Sequence, residues 1–140
     1  MGIDPRGMTT LSLNSERVLD GVKLAVKPDG SAGIYLLDQT GKDRMGMEAS
    51  EKAGANLVLR GEKGRVRSSF GVDPNQIPSL LFYDEVGRRR AGMLVDESGK
   101  PLMAIEDERG NPRLELTSHF DGSGLMRLRR EDGRILFEAP

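Results

Sequence analysis

The sequence predicts an all-β protein, a repetitive antiparallel β-hairpin meander of six 23-residue units, and three observations carry that reading. Gly41, Gly64, Gly87, Gly110 and Gly133 recur at one interval, and Arg44, Arg67, Arg90 and Arg113 each follow a Gly by three residues; a period of this length marks a repeat architecture. Apolar residues on both sides of these Gly recur at a spacing of two, the period of a strand. No stretch carries the 3.6-residue period of a helix, and 18 Gly and 7 Pro interrupt the chain throughout.

The elements follow in order. The leader Met1-Gly2-Ile3-Asp4-Pro5-Arg6-Gly7 stands outside the repeat and precedes a second Met, so residues 1–8 are expected to be a leader of artificial origin and 9–140 a single β-repeat domain. Leu11, Leu13, Val22, Leu24 and Val26 place a capping unit around an irregular turn, Ser15-Glu16-Arg17-Val18-Leu19-Asp20-Gly21. The five clear copies then present one apolar site as Ile34, Leu57, Leu80, Met103 and Met126, and a second as Leu36, Leu59, Phe82, Ile105 and Leu128. After each Gly the sites read Met45, Ser68, Ala91, Leu114 and Phe137, then Met47, Phe70, Met93, Leu116 and Ala139. All four series are expected to point inward.

Turn parity supports the meander. Opposed residues of an antiparallel pair share a face, so Leu36 opposite Met45 requires an even loop, either a two-residue Thr40-Gly41 turn of type I′ or a four-residue one. The other turn, Pro28-Asp29-Gly30 or Glu97-Ser98-Gly99, suits a three-residue loop with Gly in the left-handed region, pairing Leu24 with Ile34 and Met93 with Met103. Both loops keep the apolar set on one side of the sheet. A ribbon with one wholly apolar face cannot stand alone in water. Rolling, winding into a two-sheeted β-solenoid, or packing of identical chains would each cover that face. With aromatic residues at 4%, a wide single-chain barrel would be poorly filled, which leaves homo-oligomers of meander sheets as the expectation and the monomeric solenoid as its alternative.

The second face is mixed, and Tyr35, Leu37, Val58, Leu81 and Tyr83 form its apolar strip, the candidate partner-binding residues. Chemistry is otherwise sparse. Lys and Arg (21) balance Asp and Glu (22), so no net field draws the chain to nucleic acid, and Arg88-Arg89-Arg90 is interspersed with acids. Cys is absent, which removes disulfides, thiolate nucleophiles and Cys metal sites. The single His119 occupies a turn position equivalent to Asp73 and Asp96 and lacks the spacing of a metal motif. Glu106-Asp107-Glu108 lacks a Ca²⁺-loop pattern, and Gly122-Ser123-Gly124 precedes a strand rather than a phosphate-binding helix. No catalytic residue, cofactor or metal site is expected, and no apolar run is long enough for a membrane helix.

The unit running from an apolar strand through Asp-x-x-Gly-Lys/Arg-x-Arg to a second strand and a Val-Asp-x-x-Gly turn, best seen in Leu81 through Pro101 and in Met103 through Leu116, resembles short β-repeats of uncharacterised bacterial proteins. In those proteins the array often follows an N-terminal membrane segment, so the resemblance implies that a native signal or anchor precedes this stretch. Tyr83-Asp84-Glu85-Val86-Gly87-Arg88 is similar to the core of YD repeats in Rhs-type toxin shells and teneurins, where spiralled hairpins enclose a cargo. The unit length is similar to that of MORN repeats, although their Gly-x-Gly and Tyr/Trp positions are missing. The expected function is a non-enzymatic scaffold for self-assembly or surface display, with homo-oligomer contacts through apolar faces. Its alternative is a protein- or ligand-binding module, such as part of a YD-type shell, using the second face.

Overall fold

A computed structural model of the chain describes residues 2–5, 7–16, 21–119 and 121–140. Thirteen strands succeed one another: β1 (Gly2–Ile3), β2 (Thr9–Leu13), β3 (Val22–Val26), β4 (Ala32–Leu37), β5 (Asp43–Ser50), β6 (Gly54–Arg60), β7 (Val66–Val72), β8 (Pro78–Tyr83), β9 (Arg89–Val95), β10 (Pro101–Glu106), β11 (Pro112–Ser118), β12 (Gly124–Arg129) and β13 (Ile135–Ala139). They form one antiparallel sheet whose spatial order is the order of the chain, because loops this short can join only antiparallel neighbours. Each strand touches only its neighbours in sequence, so the ribbon stays open at both ends. The fold is therefore the hairpin meander, and the two-sheeted solenoid is excluded.

The turns are neither the two-residue type I′ nor the four-residue even loops expected. Asp38 N–H donates to the Lys42 carbonyl at 2.9 Å and Gly41 N–H to the Asp38 carbonyl at 2.8 Å, with Gly41 at φ 75°. This is a three-residue loop ending in a left-handed Gly. The carboxylate of Asp38 selects it, accepting from the N–H groups of Thr40 at 2.8 Å and Lys42 at 3.2 Å and so fixing the right-handed start of the turn. Asp84 and Asp107 act in the same way in their own units.

An odd loop alone would set Leu36 against Arg44 and turn Met45 to the opposite face. A β-bulge prevents this: Leu37 opposes Asp43 but Leu36 opposes Met45, which leaves Arg44 as the extra residue. The same shift isolates Arg67, Arg90, Arg113 and, in the last unit, Leu136. The periodic arginine is thus the bulge residue. At the other edge the loops also have three residues but carry no bulge, and Leu24 faces Ile34 while Met93 faces Met103. Gln76, at φ 65°, takes the left-handed place there that Gly30, Gly99 and Gly122 hold in other units.

Residues 2–3 add a short strand to β2, with Ile3 opposite Thr9, and the turn between them repeats the bonding of the later ones, Asp4 N–H to Met8 O and Gly7 N–H to Asp4 O, each 2.9 Å. Gly7 also precedes Gly30 by the repeat length. In the capping unit Leu13 opposes Val22, while Arg17–Asp20 of its irregular turn lie outside the described residues.

Burial departs from expectation. Leu36, Leu59, Phe82 and Ile105, read as inward sites, are 40%, 43%, 46% and 44% exposed. Among the described residues Ala25 alone is a buried apolar residue. The apolar residues do share one side, but a single layer offers nothing to lie over it.

Candidate functional site

The first face carries three cross-strand rows. The central one runs Leu24, Ile34, Met47, Leu57, Phe70, Leu80, Met93, Met103, Leu116 and Met126. A second, from Leu13 to Phe137, flanks it on the bulged edge, and a third, with Val26, Ala32, Ala49, Ala55, Val72 and Pro78, on the other. Every large apolar side chain that is exposed among the described residues belongs to this face, except Val86, Ile135 and Leu136. The surface is therefore continuous, with no charged residue at the sites of its central row.

The second face is built differently. Tyr35, Val58 and Leu81 fall on one cross-strand row, but Gly46 and Ser69 separate them and Gly92 follows Leu81. Successive members stand two strands apart, about 10 Å. Leu37 and Tyr83 lie on the adjoining row, where they oppose Asp43 and Arg89. All five are half-buried, and the side chains of Tyr35 and Leu81 lie down across small neighbours. A Cβ added at Gly46 would meet the Tyr35 ring at 3.3 Å, and one at Gly92 would meet a Leu81 methyl at 2.7 Å.

Tyr35 is further held by its hydroxyl, which donates to Glu48 Oε2 at 2.7 Å while Lys27 Nζ donates to Oε1 at 2.7 Å. Desolvation and the bond to Glu48 raise the Tyr35 pKa; Lys27 and Tyr35 together lower that of Glu48. Arg60 pairs with Asp43 at 3.3 Å. Arg89 grips Glu106, which is 6% exposed, with Nε at 2.9 Å from Oε1, and the Glu106 carboxylate raises the Arg89 pKa. The five residues thus stand on two adjoining rows and are divided by small residues and ion pairs.

The bulged edge holds two side-chain ladders. Arg67 Nε donates to the Tyr83 carbonyl at 3.0 Å and Arg90 Nε to the Glu106 carbonyl at 3.1 Å, and Arg113 repeats the contact on Arg130. One turn residue further out, Lys42 reaches the Glu62 carbonyl at 3.4 Å, Arg65 that of Glu85 at 3.3 Å and Arg88 that of Glu108 at 3.2 Å. Each bulge arginine also approaches an acid, Arg44 near Asp38 and Arg90 near Asp84 at 3.7 Å, Arg113 against Asp107, and Arg67, whose unit has Gly61 in place of that acid, near Glu85 at 3.9 Å. The spacing of the arginines was legible in the sequence; their reach to the next unit's carbonyl was not, because it depends on the bulge.

Desolvation pushes the Asp84 carboxyl upward, but the bonds it accepts from Arg88 and Val86 outweigh that and hold its pKa at about 2. Hydrogen bonds from Thr40 and Ser98 lower Asp38 and Asp96. His119 is an exposed turn residue, accepting on its carbonyl from Gly122 N–H at 3.0 Å in the manner of Asp96. Among the described residues no three His, Asp or Glu side chains stand close enough to hold a metal ion.

No protein-family model and no curated protein matches the sequence. Among solved structures, the TCP10 domain of Danio rerio CPAP in complex with a peptide of Danio rerio STIL aligns over 94% of this chain and 99% of that one, at 11% identity and a TM-score of 0.19. So low a score carries no argument.

Proposed function

We propose that the protein is a non-enzymatic β-repeat scaffold that works by self-assembly, in a structural or surface-display role, through its first face. The observation behind this reading is that the face which collects the apolar residues of every unit is left open by the single chain. A monomer rarely leaves a contiguous apolar patch larger than a few hundred Å² uncovered. The charged groups, by contrast, are engaged in turns, bulges and ion pairs that maintain the sheet. Light scattering at micromolar concentration tests the reading. A particle at a multiple of the 15.3 kDa chain mass is expected, and a strictly monomeric one removes it.

The second reading, a docking module for a protein partner, has in its favour that Tyr35, Leu37, Val58, Leu81 and Tyr83 occupy two adjoining rows of one face. It has less behind it, since Tyr35 is tied to Glu48 and its neighbours are separated. Replacing Leu81 and Tyr83 by Ser abolishes partner capture if that face docks; unchanged capture dismisses it.

A further inference from the structure

The open first face is not flat. Phe70 on β7 and Pro78 on β8 rise as a ridge at mid-length, Phe70 being 60% exposed. A trough of about 670 Å³ lies toward the N-terminus, floored by Ala32, Ala49 and Ala55, and one of about 550 Å³ lies toward the C-terminus; Phe70 and Pro78 line both. The alanines make the larger trough because they stand in line on neighbouring strands, Ala32 opposite Ala49 and Ala49 opposite Ala55.

We infer that a second copy of this chain covers the face, with the Phe70–Pro78 ridge of each copy seated in the alanine trough of the other. The inference rests on the assembly reading above and gives it a geometry. A two-fold axis placed between ridge and trough makes both insertions at once, which is the condition for an isologous contact. The area suffices. Twelve inter-strand steps of about 4.8 Å by five or six residues of about 3.3 Å give a face of roughly 1,000 Å², against about 800 Å² per partner in a standard stable interface. The surface is also what the core of such a contact needs: apolar, free of charge along its central row, with a protruding aromatic to fill a hollow. Because each copy offers both ridge and trough to the other, the contact closes as a dimer.

Because the chain lacks Cys, single-cysteine variants report the register directly. Ala49→Cys and Pro78→Cys, prepared separately, mixed and oxidised under mild conditions, are expected to give the mixed 49–78 disulfide in preference to 49–49 or 78–78. Predominance of either symmetric product overturns the ridge-in-trough docking while leaving self-assembly standing. Ala49→Trp fills the trough and is expected to weaken the dimer about 100-fold, two overpacked sites per particle, with the strand circular-dichroism spectrum unchanged. A folded Ala49→Trp chain that dimerises like the parent overturns the docking, and a monomeric parent chain overturns both the docking and the assembly beneath it.

Discussion

The two faces of this ribbon divide hydrophobicity and burial in opposite ways. The first collects the apolar residues of every unit, yet Leu13 and Phe70 are 60% exposed on it. The second is polar and charged, yet it holds Glu106 at 6% exposure, and Tyr35, Val58 and Leu81 are half-buried. Burial in a single layer comes from side chains lying along the sheet, over a Gly or into an ion pair, and not from the hydrophobic pattern. The second face thus buries side chains within one chain, whereas the first leaves its apolar rows open.

The sharpest way to break that contrast uses adjacent residues on opposite faces. Leu80→Glu buries a charge in any face-to-face assembly and is expected to weaken it more than 100-fold, whereas Leu81→Glu, one residue away, leaves the particle mass unchanged and lowers chain stability by about 1 kcal/mol. Light scattering of the two variants side by side reads the difference; equal masses would show that the faces are not distinct.

A smaller effect separates the faces within the folded chain. A Cβ at Gly71, on the second face, would meet the Ala55 carbonyl oxygen at 2.4 Å, a backbone atom that cannot swing aside. Gly71→Val is expected to cost about 2 kcal/mol, roughly 5–10 °C in Tm, despite the better strand propensity of Val. Ala55→Val, on the exposed first face, should leave the Tm of a chain kept dilute within about 2 °C. Thermal denaturation at low concentration checks both, and equal losses would mean that Gly71 has room the geometry denies.

Acid should weaken the chain without touching the apolar contact. The carboxyls of Asp84, at about 2, and of Asp38, Asp96 and Glu48 sit below their unfolded values. A depressed folded pKa means that the unfolded chain takes up protons first, so the stability these groups give is complete above about pH 5 and is lost as pH falls from about 4 toward 2. Urea midpoints should decline over that window; a flat profile would show that the turn carboxylates contribute nothing. The smallest expected effect is that of a single bulge arginine. Arg90→Ala removes an exposed pair and one bond to the Glu106 carbonyl, and the midpoint should report a loss of about 0.5–1 kcal/mol.

Much of this architecture is legible in the residues. Gly41 and its equivalents mark the turns, the spacing of Ile34 and Leu36 marks the strands, and Asp38, Asp84 and Asp107 point toward the arginines that approach them. The type of turn is not legible, because an even loop and an odd loop followed by a bulge place Leu36 opposite Met45 equally well, and only the bonds of Asp38 and Gly41 separate them. The strip on the second face is legible as composition but not as surface, since the distance between Tyr35, Val58 and Leu81 depends on the small residues of intervening strands.

The sequence by itself determined the strands, their antiparallel order and the sorting of side chains to two faces, because a strand's period of two and short Gly-ended loops are local properties. Only the tertiary structure decided that the ribbon stays open, that arginine occupies the bulge, and that Phe70 stands between two troughs. Closure, reach and relief depend on how many layers the chain builds and how neighbouring strands register, which no single unit encodes.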